Sequence, residues 1–128
     1  MQSKPSAHGP EYAIQQDIVA FLKARGWHVE RLIGNAFQSG LPDLLAFHKK
    51  WGYRFIEVKY AERYSFTKAQ KVKFPTLEQF NVGIWILTEA TQEAYDKLFK
   101  KPNWRDYVKK TWKIPTQKEI DLLMDQVD

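Results

Sequence analysis

Hydrophobic positions change their spacing several times along the chain. From residue 11 to 25, Ile14, Ile18, Phe21 and Leu22 recur three and four apart, as on one face of a helix, and Gly26 stands where a C-terminal cap belongs. Trp27 to Ile33 alternates in part and reads as a strand. The loop after it, Gly34 to Gly40, is polar apart from Ala36 and Phe37. The apolar run Leu41 to Phe47, interrupted by Pro42 and Asp43, predicts a strand with a proline among its first residues. Lys49 to Gly52 then predicts a turn, and Tyr53 to Tyr60 a further strand.

Thr67, with Gln70 three residues on, forms a capping box that opens the next helix. Pro75 is expected to break or kink it, leaving a second short segment from Pro75 to Phe80. Asn81 and Gly83 turn the chain into Ile84–Thr88, a continuous apolar run typical of a buried strand. Thr91 to Lys100 reads as an amphipathic helix with Ala94, Tyr95, Leu98 and Phe99 on one side. Pro102 to Trp112 is basic and aromatic, with Trp104, Tyr107 and Trp112 at spacings that fit no period. A second capping box, Thr116 with Glu119, precedes Ile120, Leu122, Leu123 and Val127 and predicts a last helix. The order α-β-β-β-α-β-α plus a C-terminal helical tail predicts an α/β domain with a central mixed sheet of about four strands flanked by helices. At 128 residues one domain is expected: a flexible N-terminus over 1–10, a core over 11–100, and 101–128 as a helical extension of that domain.

Composition narrows the chemistry. With no cysteine, disulfides, thiolate metal sites and thiol nucleophiles are excluded, so any metal is held by oxygen or imidazole. His8, His28 and His48 have no mutual spacing suited to a metal. Neither a P-loop nor a dinucleotide fingerprint is present. No apolar run approaches the roughly 18 residues of a membrane span, and the polar N-terminus is no secretory signal, so no membrane partner and a cytoplasmic setting, bacterial or phage-encoded, are expected. The net charge of +5 is uneven: residues 65–113 carry +5 and residues 114–128 carry −3. A basic middle points to a polyanion, nucleic acid first, although a solvated lysine-rich surface has the same composition.

The stretch that carries chemistry is Gly40-Leu41-Pro42-Asp43, followed after thirteen residues by Glu57-Val58-Lys59. Strand side chains alternate, so Glu57 and Lys59 project from one face. If the two strands pair through the Lys49–Gly52 turn, Asp43 lies beside Glu57. Two carboxylates that close repel unless a cation compensates, and a hard divalent ion does so through oxygen ligands, with the Val58 carbonyl completing part of the shell. Such an ion acidifies water and neutralises phosphate charge, and Lys59 would orient the attacking water or act as a fixed positive charge. A cross-strand salt bridge would equally account for these three residues. On the first helix, Glu11 and Gln15 sit at the edge of the apolar stripe, where Glu11 either faces the same site or complements the helix dipole.

These elements together resemble the PD-(D/E)XK nuclease superfamily and, within it, the VRR-NUC and Holliday-junction-resolvase-like group. The matching pieces are Glu11 with Gln15, Gly40-Leu41-Pro42-Asp43, Phe55-Ile56-Glu57-Val58-Lys59, Thr67-Lys68-Ala69-Gln70 and the strand Gly83-Ile84-Trp85-Ile86, over residues 11–99. The resemblance implies a restriction-endonuclease-like core and an endonuclease acting on DNA, branched DNA first. It also implies that Asp43 and Glu57 bind Mg²⁺ or Mn²⁺, that Lys59 assists the water, and that Glu11 and Gln70 complete the site. For Gln70, the helix cap is a sufficient explanation by itself. Pro75 and the tail beyond Lys100 depart from the pattern. Lys68, Lys71, Lys73, Arg31, Lys49, Lys50 and Gln15 are expected phosphate contacts, which position a duplex without reading its sequence. Cutting paired strands calls for two sites, hence a homodimer, with Trp104–Trp112 and the last helix as candidate interfaces. A sequence-directed homing or phage restriction-like endonuclease and an inactive DNA-binding module are the other readings.

Overall fold

The computed structural model describes residues 9–32 and 39–125. His8, Ile33, Val127, most of the expected N-terminal lead-in and the Gly34–Phe37 part of the loop lie outside those residues. The elements are α1 (Gly9–Lys23), β1 (His28–Arg31), β2 (Leu44–His48), β3 (Gly52–Val58), α2 (Lys68–Gln79), β4 (Ile84–Leu87), α3 (Gln92–Asp96) and α4 (Gln117–Asp125). Short 3₁₀ turns follow α3 at Lys97–Phe99 and lie at Trp104–Tyr107.

The strands form one sheet in the order β1-β2-β3-β4. The first two pairings are antiparallel, and β4 joins β3 in parallel after the α2 crossover, so the sheet is mixed as expected. One face carries Leu44, Ala46, Ile56, Val58 and Leu87 against Ile18 and Leu22 of α1 and against Ala94 and Leu98. The other carries Ile84 and Ile86 against Phe74 of α2, Phe66 and Trp104. Gly26 ends the turn after α1 at φ +89°, a conformation that costs glycine little.

Four expectations change in the folded chain. Pro42 and Asp43 precede β2 instead of lying inside it. Pro75 does not divide α2: one helix runs from Lys68 to Gln79 with Phe74 and Pro75 both buried. A proline forfeits one backbone hydrogen bond, and burying its ring in the core offsets that loss. The helix expected over Thr91–Lys100 shortens to five residues and tightens into the 3₁₀ turn. Trp104, expected at an interface, is 1% exposed inside the second core cluster. Both capping boxes form as read: Thr67 and Gln70 exchange bonds at 3.0 Å, and Thr116 and Glu119 exchange them at 3.2 Å.

Among the described residues, β4's outer edge is closed by a side chain. The Ile86 N–H donates to Asn103 Oδ1 at 2.6 Å, and Asn103 Nδ2 donates to the Ile86 carbonyl at 3.1 Å. Asn103 thus acts as a one-residue substitute for another strand.

Candidate functional site

Strand register builds the site. Leu44 faces Ile56, so Asp43 and Glu57 continue the ladder one step further and share the face covered by α2. Each carboxylate caps the other strand's backbone. The Asp43 N–H donates to Glu57 Oε1 at 3.1 Å, and the Val58 N–H donates to Asp43 Oδ2 at 2.9 Å. The Leu32 N–H donates to the Asp43 carbonyl at 2.8 Å, which ties the residue to the end of β1 as well. Gly40 sets the approach: at φ +85°, a Cβ there would stand 2.7 Å from the Ala69 carbonyl oxygen, so only glycine lets this turn lie against the start of α2.

Glu57 and Lys59 are buried, at 2% and 4% exposure, and form an ion pair of 2.9 Å. The Lys59 ammonium also donates to the Ser65 carbonyl at 2.8 Å and to Gln70 Oε1 at 3.2 Å, which uses its three donors. Gln70 in turn donates Nε2 to Glu57 Oε2 at 2.8 Å. The opposite amide orientation would aim NH₂ at an ammonium and an oxygen at a carboxylate, so this network dictates the orientation. The two explanations of Gln70 hold together, since its oxygen also accepts from the Thr67 N–H that it caps.

Burial and then the charge of Asp43 push the Glu57 carboxyl up to about 7, although Lys59 and Gln70 pull the other way. Burial also raises Asp43, with Glu11 adding repulsion while the Val58 N–H and Lys59 oppose it. Two carboxyls raised by desolvation first, and then by a neighbouring carboxylate (Asp43 for Glu57, Glu11 for Asp43), are short of positive charge despite the lysine, the condition a hard cation relieves. The donor set therefore fits such an ion through Asp43, Glu57 and the Val58 carbonyl. It fits an ion that keeps several waters, as Mg²⁺ does. Among the described residues no three His, Asp or Glu side chains gather into a metal-holding group. Glu11 stands near enough for its charge to raise Asp43, and its Oε2 accepts from the Tyr60 N–H at 3.3 Å.

The expected phosphate contacts divide. Lys68 begins α2 one residue after its cap, beside Gln70. Lys71 lies 5.1 Å from the Trp112 ring centre, and Lys73 packs by the Gly40 turn. Arg31 faces Leu44 in register, at the carboxylate end of the sheet, and donates to Gln15 Oε1 at 2.8 Å. Lys49 and Lys50 lie apart from the others: they occupy the β2–β3 turn, at the far end of β2 from Asp43. The five residues of β2 separate Lys49 from Asp43, six steps of extended chain or about 20 Å, because the hairpin that pairs the carboxylates carries its own turn away from them. Ser65, Phe66 and Asn103 were not singled out in the sequence, where no local pattern marks them.

No family model matches the chain, and no curated protein sequence matches it. Among solved structures it is similar to a VRR_NUC domain at 20% identity and a TM-score of 0.58, covering 70% of this chain and 95% of that one. The Holliday junction resolvase Hjc of the archaeal hyperthermophile Archaeoglobus fulgidus matches at 21% identity and a TM-score of 0.46, covering 61% of this chain and 67% of that one. The first likeness establishes the fold: a restriction-endonuclease-like α/β core of the kind expected from the sequence pattern.

Proposed function

We propose that the chain is a metal-dependent endonuclease that hydrolyses phosphodiester bonds in DNA, with branched DNA as substrate and a homodimer as the working unit. One observation carries the reading: Asp43 and Glu57 meet on one face at the end of a strand pair with the Lys59 ammonium in contact, on a fold shared with a VRR_NUC domain. The preference for branched DNA and the divalent ion rest on the resemblance to resolvase-like nucleases. Dimerisation follows from the need to cut paired strands.

In this reading Asp43, Glu57 and the Val58 carbonyl hold Mg²⁺ or Mn²⁺. When bound, the ion neutralises phosphate charge and acidifies water. Lys59 presents a desolvated positive charge to the scissile phosphate or to the attacking water. Since its three protons are already placed, it gives up one partner to reach the substrate. Gln70 orients both Glu57 and Lys59, and Glu11 fixes the backbone that follows Lys59. Lys68, Lys71, Lys73 and Arg31 contact the DNA backbone around the site.

The test is cleavage of a labelled four-way junction and of its linear duplex arms with Mg²⁺, for the wild type and Asp43→Ala. Junction-selective cutting that the variant loses supports the whole reading. Equal cutting of both DNAs keeps the nuclease and removes the branched-DNA preference. Binding without cutting in Mg²⁺ or Mn²⁺, alike for both proteins, overturns the enzyme and leaves a DNA-binding module.

A further inference from the structure

We infer that the aromatic segment Trp104–Trp112 holds the Lys59 ammonium in place by way of Tyr64 and Phe66, with Trp112 as the main positioning residue. The inference deepens the proposed function and rests on Lys59 acting in it.

Three acceptors surround the ammonium. Two of them, Glu57 and Gln70, belong to a strand and a capped helix, and are fixed by those elements. The third, the Ser65 carbonyl at 2.8 Å, sits in an irregular stretch between Val58 and Lys68. Among the described residues no backbone N–H donates to that carbonyl, so its position depends on the residues to either side.

Both of those residues are gripped by the C-terminal segment. The Tyr64 hydroxyl donates to the Tyr107 carbonyl at 2.8 Å, and the Tyr64 carbonyl accepts from the Lys109 ammonium at 3.2 Å. Trp112 touches the two neighbours of Ser65 at once: its ring centre is 6.0 Å from that of Tyr64, nearly perpendicular, and 5.3 Å from that of Phe66. Trp104 backs Phe66 from the core at 6.4 Å. The Phe66 ring centre, moreover, is 5.2 Å from the Lys59 nitrogen, within range of a cation–π contact. Phe66 also packs on Phe74 of α2 at 5.5 Å, but Trp112 is the one ring that touches both neighbours of Ser65, and it lies beyond the part of the sequence that resembles a nuclease.

A tryptophan that only fills space would affect stability and leave the lysine unchanged. The side-chain ammonium of Lys59 separates the two cases, because a buried, fully hydrogen-bonded ammonium exchanges its protons slowly and gives a resolvable ¹H–¹⁵N signal, identified by its loss in Lys59→Met. It is recorded on the full chain without divalent cation, beside junction cleavage. Trp112→Ala is expected to broaden or abolish that signal and to lower kcat on the order of 10–100-fold with KM for DNA nearly unchanged, and Trp112→Phe to restore both. Tyr64→Phe, which deletes only the hydroxyl, is expected to broaden the signal partially and decides the matter should Trp112→Ala not fold. An unchanged Lys59 signal in whichever of the two variants folds overturns the proposal. A signal that responds in a protein that cleaves no DNA keeps the positioning role and removes the catalytic reading of Lys59 instead.

Discussion

Gln70 is bonded to Glu57 from outside its strand: its amide donates to Glu57 Oε2 at 2.8 Å while its oxygen serves both the Lys59 ammonium and the N-cap of its own helix. One side chain thus couples the start of α2 to the charged pair at the end of β3. A residue chosen only as a cap would need no donor aimed at a carboxylate buried to 2% exposure.

Two substitutions separate the cap from the coupling. Thr67→Ala removes the hydroxyl half of the capping box and should cost about 1 kcal/mol in urea unfolding. Gln70→Ala also strips a donor from a buried carboxylate and an acceptor from a buried ammonium. It should cost about 1.5–3 kcal/mol more, the usual range for a hydrogen bond to a charged group. Equal losses for the two variants would show that the contact with Glu57 adds nothing to stability.

The raised Glu57 carboxyl predicts a pH dependence with a definite sign. The folded state holds the proton up to about 7, whereas the ordinary value is 4.5. Protonation therefore favours the native state, and this contribution is complete below 4.5 and lost as pH rises through about 7. Asp43, raised from 3.8, acts in the same direction. Without divalent ions, stability should fall between pH 4.5 and 7, and Glu57→Gln should flatten the fall. Adding Mg²⁺ should raise the melting temperature at pH 8 more than at pH 5, and not in Asp43→Ala. A Mg²⁺ effect that is the same in Asp43→Ala would place the ion elsewhere.

The two lysine groups should differ in their salt response. Each phosphate contact that is removed lowers the salt slope of DNA binding by about 1. Lys68→Ala, beside Gln70 at the start of α2, should show that change in anisotropy titrations of a labelled junction. The double variant Lys49→Ala, Lys50→Ala should leave the slope as it is, because its turn lies at the far end of the hairpin. A lowered slope in the double variant would mean that bound DNA extends to that turn.

Asn103 offers a test of the sheet edge. Asn103→Ala leaves the Ile86 N–H and carbonyl without their side-chain partner and should cost about 1–3 kcal/mol. Asn103→Asp keeps an acceptor for the N–H but sets a carboxylate against the carbonyl, so it should be no more stable than the alanine variant. Hydrogen exchange at Ile86 should quicken in both. Unchanged protection there would show that the edge is held by something other than this amide.

What the chain's order of residues determined is what depends on near neighbours. Helical spacing marked α1, partial alternation marked β1 and a continuous apolar run marked β4, and both capping boxes formed because each needs only residues three apart. Asp43, Glu57 and Lys59 were legible for a related reason: a short turn brings two adjacent strands into register, and alternation then decides which side chains share a face. Tertiary structure decided the rest. Pro75 is tolerated because its ring is buried, a matter of packing that helix propensity does not contain. Trp104 and Trp112 lie at spacings that fit no period, since their partners Phe66, Phe74 and Tyr64 come from a distant loop and helix. Asn103 on Ile86, the Ser65 carbonyl under Lys59 and the distance of Lys49 and Lys50 from the carboxylates follow from long-range geometry as well. Contacts between residues far apart in sequence obey no local period, so they leave no pattern for a linear reading to find.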